Sequence, residues 1–322
     1  MEILDGTASA RVIPLAAIQD AAKHVYVAAL RTPLVRLNSS TVDAELYLKL
    51  ENFQPTGSFK IRGAYNAVRQ IDESTRSKGV WTVSAGNAAQ GVAFAARKYG
   101  IACKVLLIDT APATKKNAIR ALGAEIFEAP FDECWQALQE RTYRGIDGCF
   151  VHPFDDDAFI SGNATLGLEI LENLPDVDCI VAPYGGGGLA CGIGSATAAL
   201  KPSVKVYGAE PATAAPLSRS FSTGKAEQFG EWQATWVDGC GGKSVFPTMW
   251  PLARRVLAGS IVSSLDDIRR ALKLVAENNH VICEGAGACA VAGGLSGLPR
   301  GKVVCVVSGG NIDLSKFCEL VR

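Results

Sequence analysis

Histidine is scarce in this chain of 322 residues: only His24, His152 and His280 occur, far apart in sequence. Acid–base work by a histidine triad is therefore not the natural reading. The ten cysteines (103, 134, 149, 179, 191, 240, 283, 289, 305 and 318) contain no Cys-x-x-Cys pair. That argues against a zinc site or a disulfide framework. Several sit in apolar runs, as Cys305 does within 303–307, and read as reduced, packed thiols. Net charge is missing too, because 32 Lys+Arg balance 32 Asp+Glu. No overall field draws the chain to nucleic acid or to an anionic membrane, and no basic cluster alternates with aromatics. The start, Met1-Glu2-Ile3-Leu4-Asp5, has neither a basic head nor an apolar core, so no signal peptide is expected. Residues 179–200 carry no charge, but Pro183 and a glycine cluster interrupt them. They are expected to form a buried strand, loop and helix and not a membrane span. Repeats and low-complexity tracts are absent. What remains is a cytoplasmic protein of about two domains with chain enough for a sizeable core, acting on small molecules.

Short apolar segments alternate with helical patterns along most of the length. Strands are expected at 46–50, 80–83, 104–108, 125–128, 180–182, 205–209 and 303–307. Helical patterns lie at 61–71, 114–122, 158–174, 265–278 and 314–321. That rhythm indicates an α/β protein with parallel sheets. The stretch 232–250, rich in Gly and aromatics, is expected to be an irregular loop.

Three segments carry chemistry. In Glu51-Asn52-Phe53-Gln54-Pro55-Thr56-Gly57-Ser58-Phe59-Lys60, a lysine follows a turn and opens an amphipathic stretch. The positive end of a helix dipole is a poor place for a cation. A lysine whose pKa is lowered by desolvation or a positive field becomes a nucleophile able to form a Schiff base with a carbonyl. A solvated lysine at a helix start would look the same from position alone. Ser84-Ala85-Gly86-Asn87-Ala88 follows the apolar run 80–83, so backbone N–H groups at a helix N-terminus can meet a carboxylate; an ordinary N-cap is the plainer alternative. Gly185-Gly186-Gly187-Gly188 follows 179–184 and leads into Leu189. Four glycines flanked by apolar residues suit a backbone wrapped around an anion such as phosphate.

Taken in order with Gly57–Ala64, Ala209-Glu210-Pro211 and Ser308-Gly309-Gly310-Asn311-Ile312-Asp313, these segments resemble the fold type II pyridoxal-phosphate (PLP) enzymes of the threonine/serine dehydratase and serine racemase family. The likeness runs over nearly the whole chain. It implies a two-domain α/β fold, similar to the tryptophan synthase β subunit, with residues 73–155 as a small domain inside a large one (1–72 and 156–322). The cofactor would lie in the cleft between them. It also implies a homodimer acting on a small amino acid. Lys60 matches the lysine that carries PLP and moves the Cα proton, with Phe59 beside it. Asn87 matches the partner of the ring hydroxyl, and Gly185 to Gly188 with Leu189 match the phosphate cradle. Ser308 matches the partner of the pyridine nitrogen. A serine there, unlike a carboxylate, does not hold that nitrogen protonated, which suits rapid loss of a β-leaving group. The implied reaction is α,β-elimination of a β-hydroxy amino acid to a 2-oxo acid and ammonia. The chain ends soon after Asp313, so no C-terminal regulatory domain is expected.

Departures from the family pattern sharpen the reading. Ala85 stands where serine racemases place a serine as the second acid/base, which disfavours racemisation. Ala88 replaces the usual histidine, and Trp135 stands where racemases place an arginine. With Ser84, Ala85, Gly86 and Asn87, these two are expected at the substrate, leaving room for an aryl β-substituent as in phenylserine. Glu210 and the Ala214 carbonyl match a cation site whose aspartate is here Pro216, so a monovalent cation, or none, is expected over Mg²⁺. The rival readings are a racemase, a β-replacement synthase and a non-enzymatic ligand-binding protein.

Overall fold

The computed structural model describes residues 11–39 and 45–322. Its architecture is two sheets with helices packed on their faces. Strands β1 (Leu34–Arg36), β2 (Leu46–Leu50), β7 (Cys179–Pro183), β8 (Lys205–Pro211), β9 (Gly259–Ser263) and β10 (Val303–Val307) form a six-stranded sheet of order β1-β2-β10-β7-β8-β9. Only the β1–β2 pairing is antiparallel. A second sheet, of order β5-β4-β3-β6, is wholly parallel and uses β3 (Val80–Val83), β4 (Cys103–Ile108), β5 (Glu125–Ala129) and β6 (Cys149–Phe150).

The central strands are buried on both faces. β10 reads Val-Val-Cys-Val-Val and β7 reads Cys-Ile-Val-Ala-Pro, every residue buried, as parallel strands between helical layers require. All seven expected strands are present. The three that sequence did not indicate, β1, β6 and β9, lie at sheet edges. They are short or only partly buried, so they carry no continuous apolar run.

Helices α2 (Lys60–Gln70), α4 (Asn87–Tyr99), α7 (Asp157–Asn173) and α8 (Gly188–Leu200) pack against one another. The remaining helices are α1 (Leu15–His24), α3 (Glu73–Arg76), α5 (Ala113–Ala121), α6 (Phe131–Glu140), α9 (Pro216–Thr223), α10 (Trp250–Val256), α11 (Leu265–Asn279), α12 (Gly285–Leu295) and α13 (Leu314–Val321). α12, Gly-Ala-Gly-Ala-Cys-Ala-Val-Ala-Gly-Gly-Leu, has poor intrinsic helix propensity. It is helical because it is buried against β7, β8 and β10. Between α9 and Trp250 the chain is irregular, as expected, pinched by a single bridge between Gln228 and Ser244. No helix among the described residues is long and apolar enough to cross a membrane.

Candidate active site

The glycine loop, the lysine turn and the segment after β10 converge on one place. Gly57, at φ +69°, closes the turn before Lys60 by donating to the Gln54 carbonyl at 2.7 Å. The Phe59 N–H donates to the Ser308 carbonyl at 3.0 Å and the Gly310 N–H to the Gly57 carbonyl at 2.9 Å. Two segments nearly 250 residues apart are thereby stitched together, and Lys60 and Ser308 come to line a common cavity of about 600 Å³.

That cavity also receives Phe59, Ser84, Ala85, Gly86, Asn87, Ala88, Gly185, Gly186, Gly187, Gly188 and Leu189. The carboxyl ends of β3 and β4 supply Val83 and Ile108, and α6 supplies Phe131 and Leu138. Openings at carboxyl ends of parallel strands are where such folds place ligands.

Lys60 Nζ donates to the Pro153 carbonyl at 2.5 Å and sits 5.2 Å from the Phe159 ring centroid. Enclosure away from water pushes its pKa down to about 7, against the opposing pull of Glu284. The amine is thus available as a neutral nucleophile near neutral pH.

Asn87, first residue of α4, is held by side chains on both sides. Its Nδ2 donates to Glu284 Oε1 at 2.8 Å, and its Oδ1 accepts from Asn311 Nδ2 at 2.8 Å. Glu284 is a functional candidate that sequence reasoning missed. Burial raises its pKa to about 8, with the Asp238 charge adding to the effect. The available signal was its isolation: it is the one charged residue between Asn279 and Arg300 apart from His280.

The glycine loop is shaped by neighbours as well as by freedom. A Cβ on Gly186 would lie 2.2 Å from the Phe154 ring, and Gly187 takes φ +91°. α8 begins directly after this turn, so its first N–H groups have no intrahelical acceptor and are free to hold an anion at the cavity wall.

A family model described as pyridoxal-phosphate-dependent enzyme matches residues 25–309. The chain is 40% identical to the L-threonine ammonia-lyase of Thermotoga maritima, over 88% of this chain and 71% of that one. It is 34% identical to the catabolic L-threonine dehydratase of Staphylococcus aureus, over 98% and 93%. Among solved structures, maize serine racemase superposes with a TM-score of 0.89 at 32% identity, covering 96% of each chain. The chain belongs to the pyridoxal-phosphate-dependent enzyme family.

The donor set fits that cofactor. An enclosed amine of lowered pKa suits its aldehyde, N–H groups at a helix start suit its phosphate, and Ser308 offers the cavity a hydroxyl and not a charge. One residue expected at the substrate lies elsewhere. Trp135 does not line the cavity; it packs edge-on against Phe246 with centroids 5.5 Å apart and stacks on Phe131 at 6.2 Å. Its indole is drawn into a cluster with Phe246, while its neighbours Phe131 and Leu138 on α6 reach the cavity.

Glu210, expected at a cation site, has both carboxylate oxygens taken up by protein donors. Its Oε1 accepts from the Leu217 N–H at 2.8 Å, and its Oε2 from the Ser218 N–H at 2.9 Å and Ser260 Oγ at 2.6 Å. Both oxygens are committed to the start of α9, and burial lifts the pKa to about 7. Ala214 lies in the tight turn just before that helix, its N–H bonded to the Pro211 carbonyl. Among the described residues, no group of three or more His, Cys, Asp or Glu could hold a metal ion.

Proposed function

We propose that this chain is an ammonia-lyase that dehydrates a β-hydroxy-α-amino acid to a 2-oxo acid and ammonia. One observation carries the reading: an enclosed lysine amine of depressed pKa shares a cavity with a helix-start glycine loop and with the Ser84–Asn87 loop. The similarity to threonine ammonia-lyase and threonine dehydratase supports the reaction class.

In this reading the N–H groups at the start of α4 receive the substrate carboxylate, and those at the start of α8 hold the cofactor phosphate. Bound there, PLP supplies the sink for the electron pair left at Cα. Lys60 takes the Cα proton, and the β-hydroxyl departs with a proton as water. The released enamine becomes an imine, which consumes one water to give the 2-oxo acid and ammonia. Ala85 offers the cavity only a methyl group, so no hydroxyl at that position can return a proton to the opposite face, which favours elimination over racemisation. We take residues 73–155, which hold the four-stranded sheet, as the small domain over the cleft.

Within this class, an aryl β-substituent such as that of phenylserine is our preferred substrate. Support comes from Ala88, which lines the cavity without bulk, and from the apolar lining of Val83, Ile108, Phe131 and Leu138. The ten free cysteines favour a reducing, cytoplasmic setting; the expected homodimer is a matter for sedimentation. The deciding experiment is a panel of aliphatic and aryl β-hydroxy amino acids scored for oxo acid and ammonia. Inversion of configuration without oxo acid would instead identify a racemase.

A further inference from the structure

Two rings on different parts of the fold lie at one wall of the cavity. Phe131 opens α6, beside the four-stranded sheet, and Trp232 belongs to the irregular segment between α9 and Trp250. Both line the cavity. Lys243 lies between them, its Nζ 3.9 Å from the Phe131 ring centroid and 4.5 Å from that of Trp232. Among the described residues no carboxylate pairs with Lys243; the two ring faces are what its charge meets.

The segment carrying Trp232 and Lys243 is braced. The Phe229 N–H donates to the Lys243 carbonyl at 2.8 Å, the Val245 N–H to the Glu227 carbonyl at 3.0 Å, and Trp232 Nε1 to the Gly241 carbonyl at 2.8 Å. From Phe131 the ring contacts continue inward through Trp135 and Phe246 to Phe154, beneath Gly186. A run of aromatic contacts thus joins Phe131 to the glycine loop. Phe131 is still 39% exposed, and the Lys243 ammonium caps its ring face.

We propose that Lys243, held between Phe131 and Trp232, sets an aromatic wall of the cavity and thereby selects the β-substituent. It acts as a positioning residue through the two rings. A ring on the substrate's β-carbon would meet a preformed aromatic wall; a hydrogen or methyl group there would not reach it. This rests on the proposed function, since it assumes that the substrate's amino acid end lies at Lys60 and Ser84–Asn87.

The test uses the holoenzyme with L-phenylalanine and L-alanine, which lack a β-hydroxyl and cannot eliminate. Their dissociation constants are read from the change in cofactor absorbance on titration. L-phenylalanine is expected to bind about ten-fold or more tightly than L-alanine, from burial of its ring. Lys243→Met should narrow that ratio about three- to ten-fold, the worth of a partly desolvated cation–π pair. Lys243→Arg should restore it. Phe131→Leu, which keeps most of the volume and loses the ring, should narrow the ratio likewise and serves if Lys243→Met does not fold. The clasp is wrong if both ligands weaken equally, if the ratio is unchanged, or if wild type binds the two alike. In those cases the elimination chemistry would stand. Absence of any absorbance response to either ligand would overturn the proposed function and the clasp together.

Discussion

The Asn87 amide donates to Glu284 Oε1 at 2.8 Å inside the cavity, across 197 residues of sequence. With the Asn311 amide donating to its oxygen at 2.8 Å, Asn87 is locked in one orientation, its second Nδ2 hydrogen left for a ligand. Glu284 is thus a support for a residue that the family resemblance assigns to the cofactor ring.

Glu284→Gln should alter stability in a defined pH window. Burial and Asp238 raise the folded pKa of Glu284 to about 8 from 4.5, so the folded chain retains a proton that the unfolded chain loses. Stability from this group therefore falls as pH rises from about 4.5 to 8. Glu210, raised to about 7, adds a slope of the same sign. Lys60, depressed to about 7, acts oppositely above pH 7. Thermal melts of the cofactor-free protein at pH 5 and pH 7 should converge in Glu284→Gln relative to wild type. An unchanged difference would show that Glu284 is not held neutral.

Lys60→Ala should abolish turnover and leave no covalently bound PLP, because the enclosed amine at Pro153 is then gone. Borohydride reduction followed by peptide mass analysis reads this out. A reducible link at another lysine with normal activity would refute the assignment.

Ala85→Ser should raise racemisation relative to elimination by placing a hydroxyl in the cavity. The measurement is solvent deuterium at Cα of recovered, inverted amino acid. If inversion stays undetectable with PLP bound, Ala85 is not what limits racemisation.

Gly186→Ala should weaken PLP binding by at least about ten-fold and cost about 1–3 kcal/mol of stability, the usual range for overpacking. The reason is the Phe154 ring, 2.2 Å from the new Cβ. Fluorescence titration of the cofactor-free protein checks the first part, and urea unfolding the second.

Arg62→Leu should destabilise strongly. Its fully buried guanidinium pairs with Glu51 at 2.7 Å and Glu169 at 2.6 Å, and Lys49 reaches Glu169 at 2.7 Å. Removing one partner of such a group leaves buried charge uncompensated, at about 3–5 kcal/mol. Urea unfolding should show a lower midpoint at unchanged slope; a loss below about 1 kcal/mol would mean the network relaxes around the gap.

The sequence determined the elements that burial makes periodic or continuous. β10 and β7 were readable because both faces are covered, which forces an unbroken apolar run. Lys60, the tetraglycine and Ser84–Asn87 stood out at strand or helix boundaries and through the family resemblance, and folding brings all three to one cavity. Tertiary structure alone decided the rest. The edge strands β1, β6 and β9 exist through pairing, not pattern, and α12 is a helix through burial despite its glycines. Glu284 joined the site because folding carries α12's start to Asn87. Trp135 left it because Phe246, 111 residues away in sequence, gave the indole an aromatic partner. Glu210 was claimed by the first N–H groups of α9. Such outcomes depend on which distant group reaches a side chain first in space, and a linear spacing does not contain that information.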